Sequence, residues 1–141
     1  MIHTQLEKVV AAVPAAVGSS AVTLVVDGLG YDAVSFAAFR ASNAATTFAS
    51  VLKIEESNDN STYTAVAGFT GGTDFTIAAV SDTSSVAMYK LDVDTKARKR
   101  YFKLTVTPSV SVNVVACARL SRGENSPVTA ADAGCIGWVV G

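Results

Sequence analysis

From Ala21 onward, apolar and polar positions alternate with a period of two, the repeat of a half-buried strand. Val22, Leu24 and Val26 fall on one face of a strand that stops at Asp27-Gly28. Val34, Phe36 and Ala38 repeat the pattern within Tyr31 to Arg40. Phe48, Ser50, Leu52 and Ile54 predict the inward face of a longer strand, with Val51, Lys53 and Glu55 on its other face. Ser57-Asn58-Asp59-Asn60-Ser61 is a dense turn cluster whose side chains bond the local backbone, and Thr62 to Ala67 reads as the return strand of a hairpin. Gly71-Gly72 marks another turn before Phe75 and Ile77. Ala87, Tyr89, Leu91 and Val93 alternate with Met88, Lys90, Asp92 and Asp94, and a charged turn follows at Thr95 to Lys99. Phe102, Leu104 and Val106 against Tyr101, Lys103 and Thr105 make the clearest amphipathic strand. After Pro108-Ser109, Val112, Val114, Ala116 and Ala118 line one face of Val110 to Leu120. About eight short strands and no amphipathic helix after residue 20 predict an all-β fold: an antiparallel β-sandwich or small β-barrel, jelly-roll-like.

The two ends break this rhythm. Residues 1–20 read as an N-terminal arm, 21–122 as the β-sandwich body and 123–141 as a C-terminal arm. No internal repeat is visible. Leu6, Val9, Val10 and Val13 recur at helical spacing, which predicts an arm or short helix that packs on something. Val9 to Val17, preceded by Lys8 and followed by Gly18-Ser19-Ser20-Ala21, also has a weak signal-peptide outline; Glu7 and Pro14 argue against it. At the other end, the polar stretch Ser121 to Pro127 precedes an apolar segment, Cys135 to Val140, with the only tryptophan, Trp138.

Composition sharpens the picture. Of 141 residues, 50% are apolar and only 16% charged, against a usual charged share of about 25%. Ala and Val dominate, with 23 and 21 copies; the β-branched Val fits a pleated sheet. The net charge of −1 argues against a general nucleic-acid binder, which needs a basic surface. The apolar content argues against a disordered chain. No apolar run is long enough to span a membrane. Cys117 and Cys135 are too few for a disulfide framework; two small buried thiols are expected, with a single disulfide pinning the C-terminal segment as the alternative. One histidine, His3, and no CxxC spacing leave no zinc set.

Few residues carry candidate chemistry. Gly28-Leu29-Gly30 is a lone GxG without the third glycine and helix that a dinucleotide pyrophosphate requires, so it reads as a β-turn. Asn58-Asp59-Asn60 offers oxygens to a hard cation but lacks the EF-hand spacing and bidentate Glu. Asn60-Ser61-Thr62 matches a glycosylation acceptor, which matters only in a secreted chain. Glu55 and Glu56 point to opposite faces of a strand and cannot converge as an acid–base pair. A terminal histidine leaves no nucleophile–base arrangement, so no enzyme is expected. Lys96, Arg98, Lys99 and Arg100 form the one charge cluster, read either as a solvated hairpin tip or as a contact for an acidic protein surface or phosphates; Asp92 and Asp94 offset it.

Four stretches resemble a known family. Asp27-Gly28-Leu29-Gly30-Tyr31-Asp32-Ala33-Val34-Ser35-Phe36 is similar to its "D-x-x-G-Y-D-[SA]-V-x-F" strand pair. Leu52 to Val66 resembles its "L-[QE]-E-S-x-D-x-S-x-[FY]-x-x-V" hairpin. Arg98 to Thr107 resembles its "[GK]-K-R-Y-[LV]-[KR]-[LV]-x-[VL]-T" strand, and Val115 to Arg122 with Ser126-Pro127-Val128 resembles its "A-V-A-x-L-x-x-x-x-x-x-P" ending. Together they cover about residues 24–128, in order. The family is that of small structural proteins encoded near the major capsid protein in tailed phages. The resemblance implies a virion structural protein made in the host bacterial cytoplasm: a capsid decoration (cement) protein on the outer surface of the head. It implies no catalytic residue, cofactor, metal or small-molecule substrate, and no nucleic acid or membrane. The implied partners are the major capsid protein and further copies of the chain, a trimer at a threefold position being the expected oligomer. Expected contact residues are Val9, Val10, Val13 and Val17 at one end and Pro127, Val128, Ile136, Trp138, Val139 and Val140 at the other, with Lys96, Arg98, Lys99 and Arg100 between them. Trp138 serves equally as a core residue closing the sandwich. Two other readings stay open: a tail or head–tail connector component, and a secreted carbohydrate-binding module with aromatics on one sheet face. Its only candidate rings for that, Tyr31, Tyr63, Tyr89, Tyr101 and Trp138, are scattered along the chain.

Overall fold

Each alternating stretch buries one row of side chains and must still satisfy its backbone, so it needs strand neighbours as well as a facing layer. In the computed structural model, residues 7–12, 18–125 and 127–139 are described. They contain eight strands and no helix: β1 (Lys8–Ala12), β2 (Val22–Asp27), β3 (Tyr31–Arg40), β4 (Val51–Ser57), β5 (Thr64–Thr70), β6 (Ala87–Asp94), β7 (Tyr101–Thr107) and β8 (Val114–Gly123). The pairing is nested. β1 pairs with β8, β2 with β7, β3 with β6 and β4 with β5, all antiparallel. The chain is thus one long hairpin, turning between Ser57 and Thr64. Rolling it up brings β3 against β8 and β4 against β7. The result is a β-sandwich of two four-stranded sheets, β1-β8-β3-β6 and β2-β7-β4-β5, the strand order of a jelly roll.

The core is the predicted one. Val22, Leu24 and Val26 from β2, Val34, Phe36 and Ala38 from β3, and Phe102, Leu104 and Val106 from β7 are all buried. So are Leu52 and Ile54 of β4 and Val114, Ala116, Ala118 and Leu120 of β8. Alanine in β8 is a packing choice, because β8 lies between β1 and β3 and small residues leave room for the Phe36 ring of neighbouring β3 and the Phe102 ring of the facing sheet to fill the interior.

Three local expectations change. Lys8 to Ala12 is an edge strand rather than a helix, because its amides find β8 in register from Lys8↔Leu120 to Ala12↔Ala116; Val10 and Ala12 pack on the core while Val9 faces out. Ser50 is exposed, not inward. The chain bends there, the Ser50 amide and hydroxyl both reach the Thr107 carbonyl (2.8 and 3.1 Å), and β4 starts only at Val51. Thr95 to Arg100 is not a hairpin tip but the crossover from β6 in one sheet to β7 in the other.

Arg40 continues the inward alternation of β3 beyond Ala38 and is fully buried. Its Nη2 donates to the Ala45 carbonyl at 2.8 Å, holding the 41–47 loop over that end of the sandwich, but its Nε has no partner. A desolvated cation with an unpaired donor is costly. Arg40→Met keeps the length and removes the charge, and is expected to raise unfolding free energy by about 1 kcal/mol. Arg40→Ala leaves a cavity and is expected to lower it by about 2 kcal/mol. Urea unfolding measures both.

Candidate interaction surfaces

At one end of the sandwich, the β2–β3 turn meets the β6–β7 crossover. Gly28 donates to the Arg100 carbonyl at 2.8 Å, and the Tyr31 amide closes the turn on the Gly28 carbonyl at 3.1 Å. A Cβ on Gly28 would lie 2.9 Å from the Phe102 ring and 3.1 Å from the Arg100 carbonyl. That glycine is there for close backbone approach, and the GxG is a turn with no helix behind it. The turn and the crossover enclose an open cleft of about 310 Å³, with Leu29 and Tyr31 on one side and Arg98, Lys99 and Arg100 on the other.

The cleft is far less basic than the sequence implies. Arg100 forks onto Asp27 with contacts of 2.9 and 2.6 Å, and that guanidinium holds the Asp27 carboxyl below its usual range. Arg98 lies 4.0 Å from Glu56, whose carboxylate also accepts the Lys99 amide. The Lys99 ammonium donates to the Thr64 hydroxyl at 2.7 Å. Two of the four predicted cations, Arg98 and Arg100, face carboxylates, whereas Lys99 meets a neutral hydroxyl and Lys96 sits on an exposed turn.

Asn58-Asp59-Asn60 is also self-contained. The Asp59 carboxylate accepts the Ser57 hydroxyl at 2.7 Å and the Thr62 and Ser61 amides at 2.8 and 2.9 Å, which pull its pKa far below the ordinary value. Glu55 faces outward between Lys53 and Lys103, 3.0 Å from each, while Glu56 turns to the crossover. Burial raises the Glu55 pKa, but the two lysines outweigh it and hold it low. Among the described residues, no group of three His, Cys, Asp or Glu side chains is placed to hold a metal ion.

One aromatic grouping escaped the linear reading. Tyr63 and Tyr101 come together beside Lys103, whose ammonium sits 4.1 Å from the Tyr63 ring centre, while Arg100 lies over Tyr101 at 4.9 Å. Each ring therefore carries a cation on one face. Tyr89 packs inward on Phe48, ring centres 5.0 Å apart.

The C-terminal segment is fastened to the sandwich. Thr129 and Asp132 cap each other reciprocally: the Thr129 amide donates to the Asp132 carboxylate and the Asp132 amide to the Thr129 hydroxyl, at 3.2 and 3.1 Å. This closes a turn from 129 to 135. Its Ala133 carbonyl accepts the outward amide of Val9 at 3.0 Å, so the turn covers the free edge of β1. Gly134 sits there with φ +79°, and a Cβ would lie only 1.9 Å from the Val9 carbonyl oxygen. The T-x-x-D spacing was the sequence signal for this turn. Pro127 is buried, Trp138 is half-buried, and Val128, Ile136 and Val139 are exposed, the last two completely. Cys117 and Cys135 are free, half-buried thiols, not a disulfide. Val13, Val17 and Val140 lie outside the described residues.

Gly134→Ala is expected to unseat the turn and lower stability by about 1–2 kcal/mol, with faster hydrogen exchange at the Val9 amide. The acid side follows from carboxylates held low in the fold. Asp27, Glu55, Asp59 and Asp92 have depressed values, so the stability they contribute is complete above their unfolded range and is lost as pH falls below about 4. Asp27→Asn is expected to lower the melting temperature at neutral and alkaline pH and so to flatten the acid limb in a series of thermal melts, the variant and the unaltered protein converging at low pH.

Compared with protein-family models and with curated proteins, the sequence matches none.

Proposed function

We propose that this chain is a virion structural protein, a decoration (cement) protein that binds the outer surface of a phage head through the major capsid protein and through copies of itself. The observation that carries the proposal is the C-terminal segment: Ile136 and Val139 stand fully in solvent at the end of a turn that Ala133 and Gly134 anchor on β1. Large apolar side chains presented from a fixed support are what a docking site needs. The strand order adds support by analogy of fold alone, since jelly rolls recur in viral capsid and lectin domains. The sequence resemblance points the same way. A cement protein repeats a modest contact at many equivalent sites, and multivalency turns that into reinforcement of the shell.

Two competing roles fit less well. A carbohydrate-binding face needs open rings to stack on sugars, whereas Tyr63 and Tyr101 are half-buried under Lys103 and Arg100. A connector or tail component is separated by stoichiometry.

The test mixes the purified protein with heads assembled from the capsid protein encoded alongside it. Saturable binding at hundreds of copies per particle and a higher head-disassembly temperature are expected. Ile136→Ser with Val139→Ser should lower occupancy at least tenfold while the free protein melts as before. Binding at six or twelve copies would replace this reading with the connector one, and no binding would end it.

A further inference from the structure

A sandwich has four edge strands, and each exposes a row of N–H and C=O groups that templates pairing unless something blocks it. Three edges of this protein are blocked. On β1, Ala133 takes the Val9 amide. On β5, the Asp74 carboxylate takes the amides of Gly68 and Thr70 at 3.1 and 2.9 Å, next to a register shift between Lys53 and Glu55. On β6, Lys90, Asp92 and Asp94 occupy three of the eight positions, all exposed.

β2 carries none of these devices. Its sequence is V-T-L-V-V-D, with no glycine, proline, lysine or bulge, and its register with β7 is unbroken from Val22↔Val106 to Asp27↔Tyr101. The next bond of that ladder is Gly28 to the Arg100 carbonyl. Antiparallel bonds alternate, so Val22, Leu24 and Val26 bond β7, while Thr23, Val25 and Asp27 turn their backbone groups away from it. No described residue bonds the outward amide or carbonyl of Thr23 or Val25. Val25 is 40% exposed.

We infer that β2 is the edge through which two copies of this chain join, β2 running antiparallel to β2 about a twofold axis at Val25. The sequence is self-complementary in that register. Val25 faces Val25, and Thr23 faces Asp27 of the second copy, a hydroxyl donor opposite a carboxylate. Arg100 already balances that carboxylate within its own chain, so no like charges are brought together. Leu24 and Val26 meet on the inner side. About six backbone hydrogen bonds form, and the two β2-β7-β4-β5 sheets become one continuous eight-stranded sheet. A second copy is favoured over a foreign strand because both halves of the match lie in the same six residues. The inference names the self-contact left open in the proposed function, and it makes the basic unit a twofold pair rather than the expected trimer.

Light scattering across a protein concentration series tests it. The expected mass rises to twice the 14.5 kDa of the chain, and the Thr23 and Val25 amides exchange more slowly as concentration rises. Val25→Pro removes an amide that the β2–β7 ladder does not use, and proline is tolerated on an edge; Val25→Lys places a charge there. Both are expected to give the single-chain mass and to melt where the unaltered protein melts once diluted below its pairing range. A single-chain or threefold mass for the unaltered protein overturns the inference, as does a twofold mass that persists in both variants. Exchange at Thr23 and Val25 reads the edge without any substitution. Head binding separates the two ideas: binding retained by Val25→Pro with pairing lost leaves both standing, and a twofold mass with no head binding in the unaltered protein removes only the decoration role.

Discussion

The nested pairing of the strands is the constraint on which everything else rests. First pairs with last, second with seventh, third with sixth, fourth with fifth. Most stabilising contacts therefore join residues far apart in sequence: Val22 meets Val106, and Lys8 meets Leu120. Loop closure must precede the reward of burial, so such a chain folds slowly and spends time with unpaired strands. The same pairing decides where the ends go. β1 becomes an outer strand only because β8 lies inside the sheet, and the segment after β8 is then delivered to the edge of β1, where Ala133 caps Val9.

That geometry explains which features were legible in the sequence. Period-two alternation is a property of one strand and its core, so Val22-Leu24-Val26 and Phe102-Leu104-Val106 could be read directly. Partner choice is not local. Nothing within Lys8 to Ala12 distinguishes an edge strand from a helix turn; the β8 register decides it. Ser50 fits the inward period but lies before the strand begins. Arg40 obeys the alternation so strictly that its charge goes into the interior, a placement that polarity alone argues against. The cluster at Lys96 to Arg100 reads as a basic patch only while its partners Asp27, Glu56 and Thr64, each from a different part of the chain, are out of view. The site inherits this limit. Its apolar end residues could be picked out, while the turn that fixes them and the tyrosines gathered at Lys103 depend on the roll.

Low charge and high apolar content also acquire a specific meaning. Nine of the 21 valines are buried in the core, so composition alone does not mark a sticky protein. Among the described residues, Val128, Ile136 and Val139 are the most exposed large apolar side chains, and they flank a turn held in place by a glycine that no other residue can replace without meeting the Val9 carbonyl. A free tail of the same composition would lose more order on binding and gain less for it. Fixing the turn beforehand lowers that cost, which is why the anchor matters as much as the side chains it presents.

The edges follow the same economy of means. A chain with few charges cannot protect every edge with lysine, so it uses what the roll places nearby: a carbonyl for β1, a single aspartate bonding two amides for β5, and a short charged run for β6. Each solution draws on residues outside the strand it protects or displaces apolar ones within it. β2 retains an alternating, uncharged stretch up to Asp27, and its outward groups are aligned by the unbroken β7 ladder behind them. An edge left regular among three that are blocked is a place where pairing is permitted, and a partner that supplies both donors and acceptors in strand geometry can replace the water along it.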